Sequence, residues 1–288
     1  MNKIILVLAV ILGLSSFKSD KPAYRIFDNQ GKKVKYKKLL EEALEADVVF
    51  FGELHNNPIC HWLQLELTKD AYNSKEGQIV LGAEMFEADN QLILNEYLSG
   101  QISVKSFEAE ARIWPNYKTD YKPLVDIAKD SNLVFVATNI PRRYASVVYK
   151  KGFEGLEVLA AEAKSYIAPL PIEYDAELKG YKKMLDDMAA MGHANENLPK
   201  AQAIKDATMA YSIAEYAGNG KLFIHYNGTY HSNDYEGILW YLNRYKPGLK
   251  IVTISSVEQS DIEELEEEYS NQANFILAVP ENMTKTNK

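Results

Sequence analysis

The sequence predicts an α/β fold: a largely parallel central sheet flanked by helices, with a helical insertion as a lid. Three observations carry this. Nearly continuous apolar runs (VVFF, QIVLGAEMF, LVFVATN, KLFIHYN and KIVTIS) recur along the 288 residues, the pattern of strands covered on both faces. Helix-spaced segments separate them, as crossovers between parallel strands require. One long stretch, residues 154–217, holds no strand-like run; its Pro169/Pro171 break and charged amphipathic segments mark it as the insertion.

In chain order, MNKIILVLAVILGLSSFKSD reads as a secretory signal peptide over residues 1–16, with Lys3 ahead of an apolar run that gives way to small residues. Residues 17–288 then form one α/β domain, exported to the bacterial periplasm or cell envelope. No cysteine follows the apolar run, so there is no lipobox. YRIFD and KKVKY flank Asn29-Gln30-Gly31 as a hairpin, and residues 37–46 place Leu39, Leu40 and Leu44 at helical spacing. After strand VVFF, Pro58 opens a helix that runs to about residue 72. QIVLGAEMF follows, then helices from about Gln91 and Lys122, then LVFVATN. Pro141 opens and Gly152 closes the next helix. Beyond the insertion come KLFIHYN, a helix around residues 237–244, and KIVTIS.

Composition excludes several functions. With 40 acidic against 32 basic residues the formal charge is -8, and no basic stripe is available to hold nucleic acid. The single cysteine, Cys60, rules out internal disulfides, zinc fingers and iron–sulfur sites, and reads as a buried apolar residue. Any metal must therefore use His, carboxylates or Tyr.

Polar clusters follow four of the strand-like runs: Gly52, Glu53 and His55; Glu84 and Glu87; Asn139, Arg142 and Arg143; and Asn227, Gly228 and His231. Ligands bind outside the carboxyl ends of parallel strands, so the four clusters are expected to converge on one crevice. Gly-x-x-His occurs twice, as Gly52–His55 and Gly228–His231, with glycine expected to permit a tight turn. Two such turns supply two imidazoles to one divalent metal, with His55, His231 and Glu84 as ligands and Glu53 or Glu84 as base. Arg142 would bind a carboxylate or phosphate at the start of its helix. A metal-dependent hydrolase built this way uses Glu53, His55, Glu84, Arg142 and His231; the bland alternative is a structural network of the same groups.

The remaining histidines read as support or background: His61 beside the site or on the surface, His193 solvated, His225 packed in the core. Arg112 and Trp114 in ARIWPNY either line the pocket or pin a loop. Gln202 and Asp206, four apart on one helical face opposite Ala207 and Ala210, are expected to face the crevice. Tyr174, Leu178, Tyr181, Leu185 and Met188 form an apolar stripe, either core packing or the platform with a phenol that a Tyr-ligated haem requires.

The segments FGELHNNPICHWLQLEL, GAEMFEADNQ, ARIWPNYKTDYKPLVDIA, NIPRRYASVVYKKG, AQAIKDATMAYSI and NGTYH resemble, in order, the ChaN-like family of haem-binding uptake proteins, related to the Tiki, TraB and erythromycin-esterase superfamily. The resemblance implies an α/β fold with a helical lid, an envelope location, and a role in iron or haem acquisition. It maps paired Gly-x-x-His motifs onto His55 and His231, an acidic residue onto Glu84 and an arginine onto Arg142. It also implies haem as cofactor, ligated by a tyrosine (Tyr174 and Tyr181 being the candidates), with Arg112, Gln202 and Asp206 around it. A homodimer with haems stacked between subunits, and an envelope haem or iron transport system, are the implied partners.

Overall fold

The computed structural model describes residues 21–193 and 195–287; the expected signal peptide lies outside them. Eight strands form one sheet: β1 (Arg25–Asp28), β2 (Lys33–Val34), β3 (Val48–Glu53), β4 (Ile79–Glu87), β5 (Phe135–Asn139), β6 (Leu222–Gly228), β7 (Ile251–Gln259) and β8 (Phe275–Pro280). Their order is β2-β1-β8-β7-β3-β6-β4-β5. The pairs from β8 to β5 are parallel, and β1 joins both β2 and β8 antiparallel. The mixed, mostly parallel sheet is the expected α/β architecture, with β8 as a strand that the sequence reading did not include.

The apolar runs are continuous because both faces of the sheet are covered. On one face Val49, Phe51, Leu81, Ala83, Phe135, Ile224, Tyr226 and Ile254 meet helices α1 (Tyr36–Leu44), α2 (Pro58–Ser74), α3 (Gln91–Leu98), α4 (Val104–Glu110) and α5 (Lys122–Asp130). On the other, Val48, Phe50, Val80, Val136 and Phe223 pack with α9 (Asn197–Tyr216) and α10 (Ile238–Tyr245). Successive residues of a strand point to opposite faces, so alternate positions of VVFF feed the two cores.

Helix α6 (Arg142–Lys151) starts after Pro141 and stops at Gly152, whose φ of 71° suits glycine. The segment 154–217 holds no strand among its described residues and divides in two: α7 (Ala161–Lys164) and α8 (Lys179–Ala190), of which α8 buries Tyr181 against α9, and α9 itself, which belongs to the layer on the sheet. Ala203, Ala207 and Ala210 let α9 approach the strands closely, and Ile204 and Ala201 turn toward α6. Strand order reverses around β3: the chain moves outward through β4 and β5, returns as β6, then crosses to β7 on the far side. The crevice at the carboxyl end of β3 and β6 is where such a sheet places a ligand.

Candidate functional site

Glu53 and Gly228 are paired in the β3–β6 ladder at the carboxyl ends of both strands. A cavity of about 730 Å³ opens above them, within the roughly 300–1,000 Å³ usual for ligand sites. Its walls include Glu53, His55, Glu84, Trp114, Gln202, Lys205, Tyr230 and His231. Three of the four strand-end clusters converge here. The fourth does not, because β5 is the outer strand, two places from β6; Glu258 at the end of β7 contributes instead.

Glu53 is buried at the strand end and held from three sides. His55 Nδ1 donates to Glu53 Oε1 at 2.9 Å, Tyr121 OH to the same oxygen at 2.6 Å, and Gln64 Nε2 to Oε2 at 2.6 Å. Burial alone would raise its pKa; the His55 hydrogen bond, the charges of His61 and His55, and the Tyr121 hydroxyl outweigh that and lower it. Burial pulls His55 down, but its bond to Glu53 and the Glu84 charge push it up. The His55 side chain remains 47% exposed, its ring edge-on to Trp114 with centroids 4.9 Å apart. Its carbonyl accepts from Asn116 Nδ2 at 2.7 Å and lies 3.1 Å from His61 Nε2. His61 is thus buried support for the His55 loop.

Glu84 lies inside β4 rather than beyond it. The β4–β5 register shifts between Ala83 and Glu87, and this irregularity re-aims the carboxylate toward β6. Gly228 N–H donates to Glu84 Oε2 at 2.7 Å, and His231 Nε2 lies 3.2 Å from Glu84 Oε1. On its other side His231 Nδ1 donates to Asp206 Oδ1 at 2.5 Å, and Tyr181 OH donates to Asp206 Oδ2 at 2.7 Å. The Gln202 amide nitrogen sits 3.0 Å from both ring nitrogens. Burial disfavours charge on His231, yet the two carboxylates push its pKa up to about 10, so it is an imidazolium at neutral pH. Glu84 is driven the opposite way: burial raises it, and His231, His55 and the Gly228 N–H hold it far below the usual carboxylate range.

Both glycines of the Gly-x-x-His repeats are needed for close approach rather than for a turn. Gly228 has an ordinary φ of -55°, but a Cβ there would meet His55 Cε1 and Nε2 at 2.8 Å. A Cβ on Gly52 would meet the Ile254 carbonyl oxygen and Thr229 Cα at 2.9 Å.

The structure therefore brings Glu53, His55, Glu84, Gln202, Asp206 and His231 together, and it corrects other assignments. The metal set His55, Glu84 and His231 is not assembled: both nitrogens of His231 face carboxylates, and no group of three or more His, Cys, Asp or Glu among the described residues is placed to hold an ion. Arg112 pairs with Glu87 and Asp89, and Arg143 pairs with Asp89 too, so these arginines clasp the β4 exit outside the cavity. Arg142 is exposed and does not line the cavity, since α6 follows the outer strand. Tyr181 is buried with its phenol on Asp206, and Tyr174 stacks on it with centroids 5.8 Å apart; neither lines the cavity. The tyrosine that does is Tyr230, whose hydroxyl donates to the Gly180 carbonyl. Trp114, Asn116, Gln64, Tyr121 and Lys205 also belong to the site. Only Lys205, three residues after Gln202, could have been read from spacing.

Residues 39–242 match the family described as haem-binding uptake, Tiki superfamily, ChaN. The chain belongs to that family. No curated protein sequence matches it. Among solved structures it resembles one described as cofacial heme binding to ChaN of Campylobacter jejuni: 20% identity, TM-score 0.66, covering 88% of this chain and 96% of that one. A succinoglycan biosynthesis protein is similar at 12% identity and TM-score 0.52, covering 90% of this chain and 94% of that one. At these identities the likeness shows a shared ChaN fold.

Proposed function

We propose that this ChaN-family protein binds haem at the cavity above β3 and β6 and serves haem or iron uptake in the bacterial cell envelope. The observation that carries the reading is His55. Its Nδ1 is occupied by buried Glu53, so Nε2 is the ring nitrogen left on a half-exposed imidazole, beside the Trp114 ring in a cavity of ligand size. A carboxylate on the far nitrogen fixes ring orientation and strengthens the near one as a donor, the usual support of an iron-binding histidine.

The residues present fit the group. His55 and Tyr230 are the cavity's neutral-donor candidates, and the rings of Trp114 and Tyr230 offer apolar surface. Tyr174 and Tyr181 do not fit, being outside it. Bound haem supplies the iron, which is the cargo of an uptake protein. The chain's own residues orient it: Glu53, held by Tyr121 and Gln64, sets the His55 ring, and Asn116 fixes the backbone that carries it. The family reading further supports export by residues 1–16, assembly as a homodimer, and delivery to an envelope haem or iron transport system.

Titrating the purified protein with haemin tests this. A saturable absorption change is expected, altered in position and weakened by His55→Ala, and unmoved by Tyr174→Phe. Absence of saturable binding at micromolar haemin would overturn the reading.

A further inference from the structure

Six carboxylate, imidazole or ammonium side chains line the cavity: Glu53, His55, Glu84, Lys205, His231 and Glu258. Five are paired inside the protein, Glu53 with His55, Glu84 with His231, and Glu258 with Lys285. Lys205 is the exception. Among the described residues it makes no ion pair and no side-chain hydrogen bond, although it is half-buried. Other half-buried lysines are satisfied: Lys122 by Asp126, Lys246 by the carbonyls of Ala214 and Ala217.

The position of Lys205 is set by its helix. Gln202, Lys205 and Asp206 lie at i, i+3 and i+4 on one face of α9, and the first and third of them reach His231. This face carries an ammonium that no carboxylate among the described residues reaches within ion-pair distance. Near it Trp114 and Tyr230 present aromatic surface, so the ligand chemistry is that of a flat ring system with an acidic substituent.

We infer that Lys205 recognises a carboxylate of the bound ligand. The identity of that ligand as haem, with a propionate as the carboxylate, rests on the function proposed above; the assignment of Lys205 rests on the cavity's charge pairing. An ammonium–carboxylate contact in a partly desolvated cavity is a charge-assisted hydrogen bond, and its loss lowers affinity by roughly tenfold or more.

Two ligand pairs test the assignment on the full chain, each differing only in the carboxylate: haemin against its dimethyl ester, and 1-pyrenebutyrate against 1-pyrenebutanol. Wild type should prefer the acid of each pair by about tenfold or more. Lys205→Met should abolish the preference by weakening the acid alone, and Lys205→Arg should keep it. If haemin fails to bind while the pyrene pair retains a Lys205-dependent preference, the haem reading falls and Lys205 stands. If haemin binds and Lys205→Met leaves both preferences intact, or weakens acid and ester alike, the Lys205 assignment falls and the haem reading stands. Binding of neither pair overturns both.

Discussion

His231 Nδ1 lies 2.5 Å from Asp206 Oδ1, and the opposite ring nitrogen lies 3.2 Å from Glu84 Oε1. An imidazolium is thereby clamped between carboxylates on α9 and β4 beneath the cavity. The clamp fixes how the protein responds to base. With the folded pKa raised to about 10 and the unfolded one about 6.5, the stabilisation is complete below pH 6.5 and is lost as pH rises through 10. Its full size is on the order of 3–5 kcal/mol. Urea unfolding between pH 6.5 and 10 should show wild type losing stability with rising pH and His231→Gln nearly flat. Parallel curves would remove the clamp from the account.

His225 predicts the opposite slope. It is fully buried in β6 between Phe50 and Phe223, and desolvation lowers its pKa to about 4 despite the Asn227 hydrogen bond. The unfolded chain takes up this proton first, so its neutral fold is fully supported above pH 6.5 and is weakened as pH falls toward 4. The loss is about 3 kcal/mol. The measurement is the imidazole carbon shift of His225 by NMR, which should stay that of the neutral ring at pH 5.

The two histidines also show what was legible in the sequence. Continuous apolar runs gave β3 to β7, because strands covered on both faces cannot hide their composition. β8 was harder: FILAVP ends in a proline that disfavours a strand reading, and at the sheet it pairs with β1, far away in sequence. In the site, Gln202 and Asp206 were readable from their four-residue spacing. The tyrosines were not, since only the fold shows that the Tyr181 phenol faces Asp206 while Tyr230 reaches the cavity. Nor could the fourth cluster be excluded, because strand order, which puts β5 outermost, leaves no mark in the local sequence.

Gly228→Ala should act through His55. The added methyl would stand 2.8 Å from the imidazole, which must turn away from Glu53 to admit it. A stability cost of about 1–3 kcal/mol is expected, with a shifted haemin spectrum. Gly52→Ala meets backbone rather than a movable ring, so it should cost more than Gly228→Ala in the same denaturation assay. The reverse ranking would show that the β3 end relaxes more easily than the His55 loop.

Gln91 closes the sheet's free edge. Its amide nitrogen donates to the Phe135 carbonyl at 2.9 Å and its oxygen accepts from Ala137 N–H at 2.7 Å, taking the place of a neighbouring strand on β5. Gln91→Ala should cost about 1–3 kcal/mol and expose an edge able to pair with a second copy. Sedimentation should then reveal concentration-dependent self-association beyond that of wild type, and Lys placed at Val134 should suppress the excess.

The last prediction concerns Thr286, which ties residues 284–287 to the His55 loop. Thr286 N–H donates to the Asn56 carbonyl at 2.9 Å, and its hydroxyl donates to Asp120 Oδ2 at 2.6 Å. The same Asp120 oxygen accepts from Asn116 at 2.6 Å, and Asn116 holds the His55 carbonyl, so a chain of three hydrogen bonds links the hydroxyl to the proposed ligand histidine. Removing a donor from a buried carboxylate costs about 1.5–3 kcal/mol, here concentrated in one loop. Thr286→Val should therefore speed amide exchange over residues 54–57 and weaken haemin binding, while Thr286→Ser preserves both. The strands beneath should exchange as in wild type, because β3 is held on both sides by β6 and β7 whatever happens to the loop. Unchanged exchange at residues 54–57 in Thr286→Val would mean that Asn116 and His61 hold the His55 loop without Thr286, and that residues 284–287 rest against the loop without restraining it.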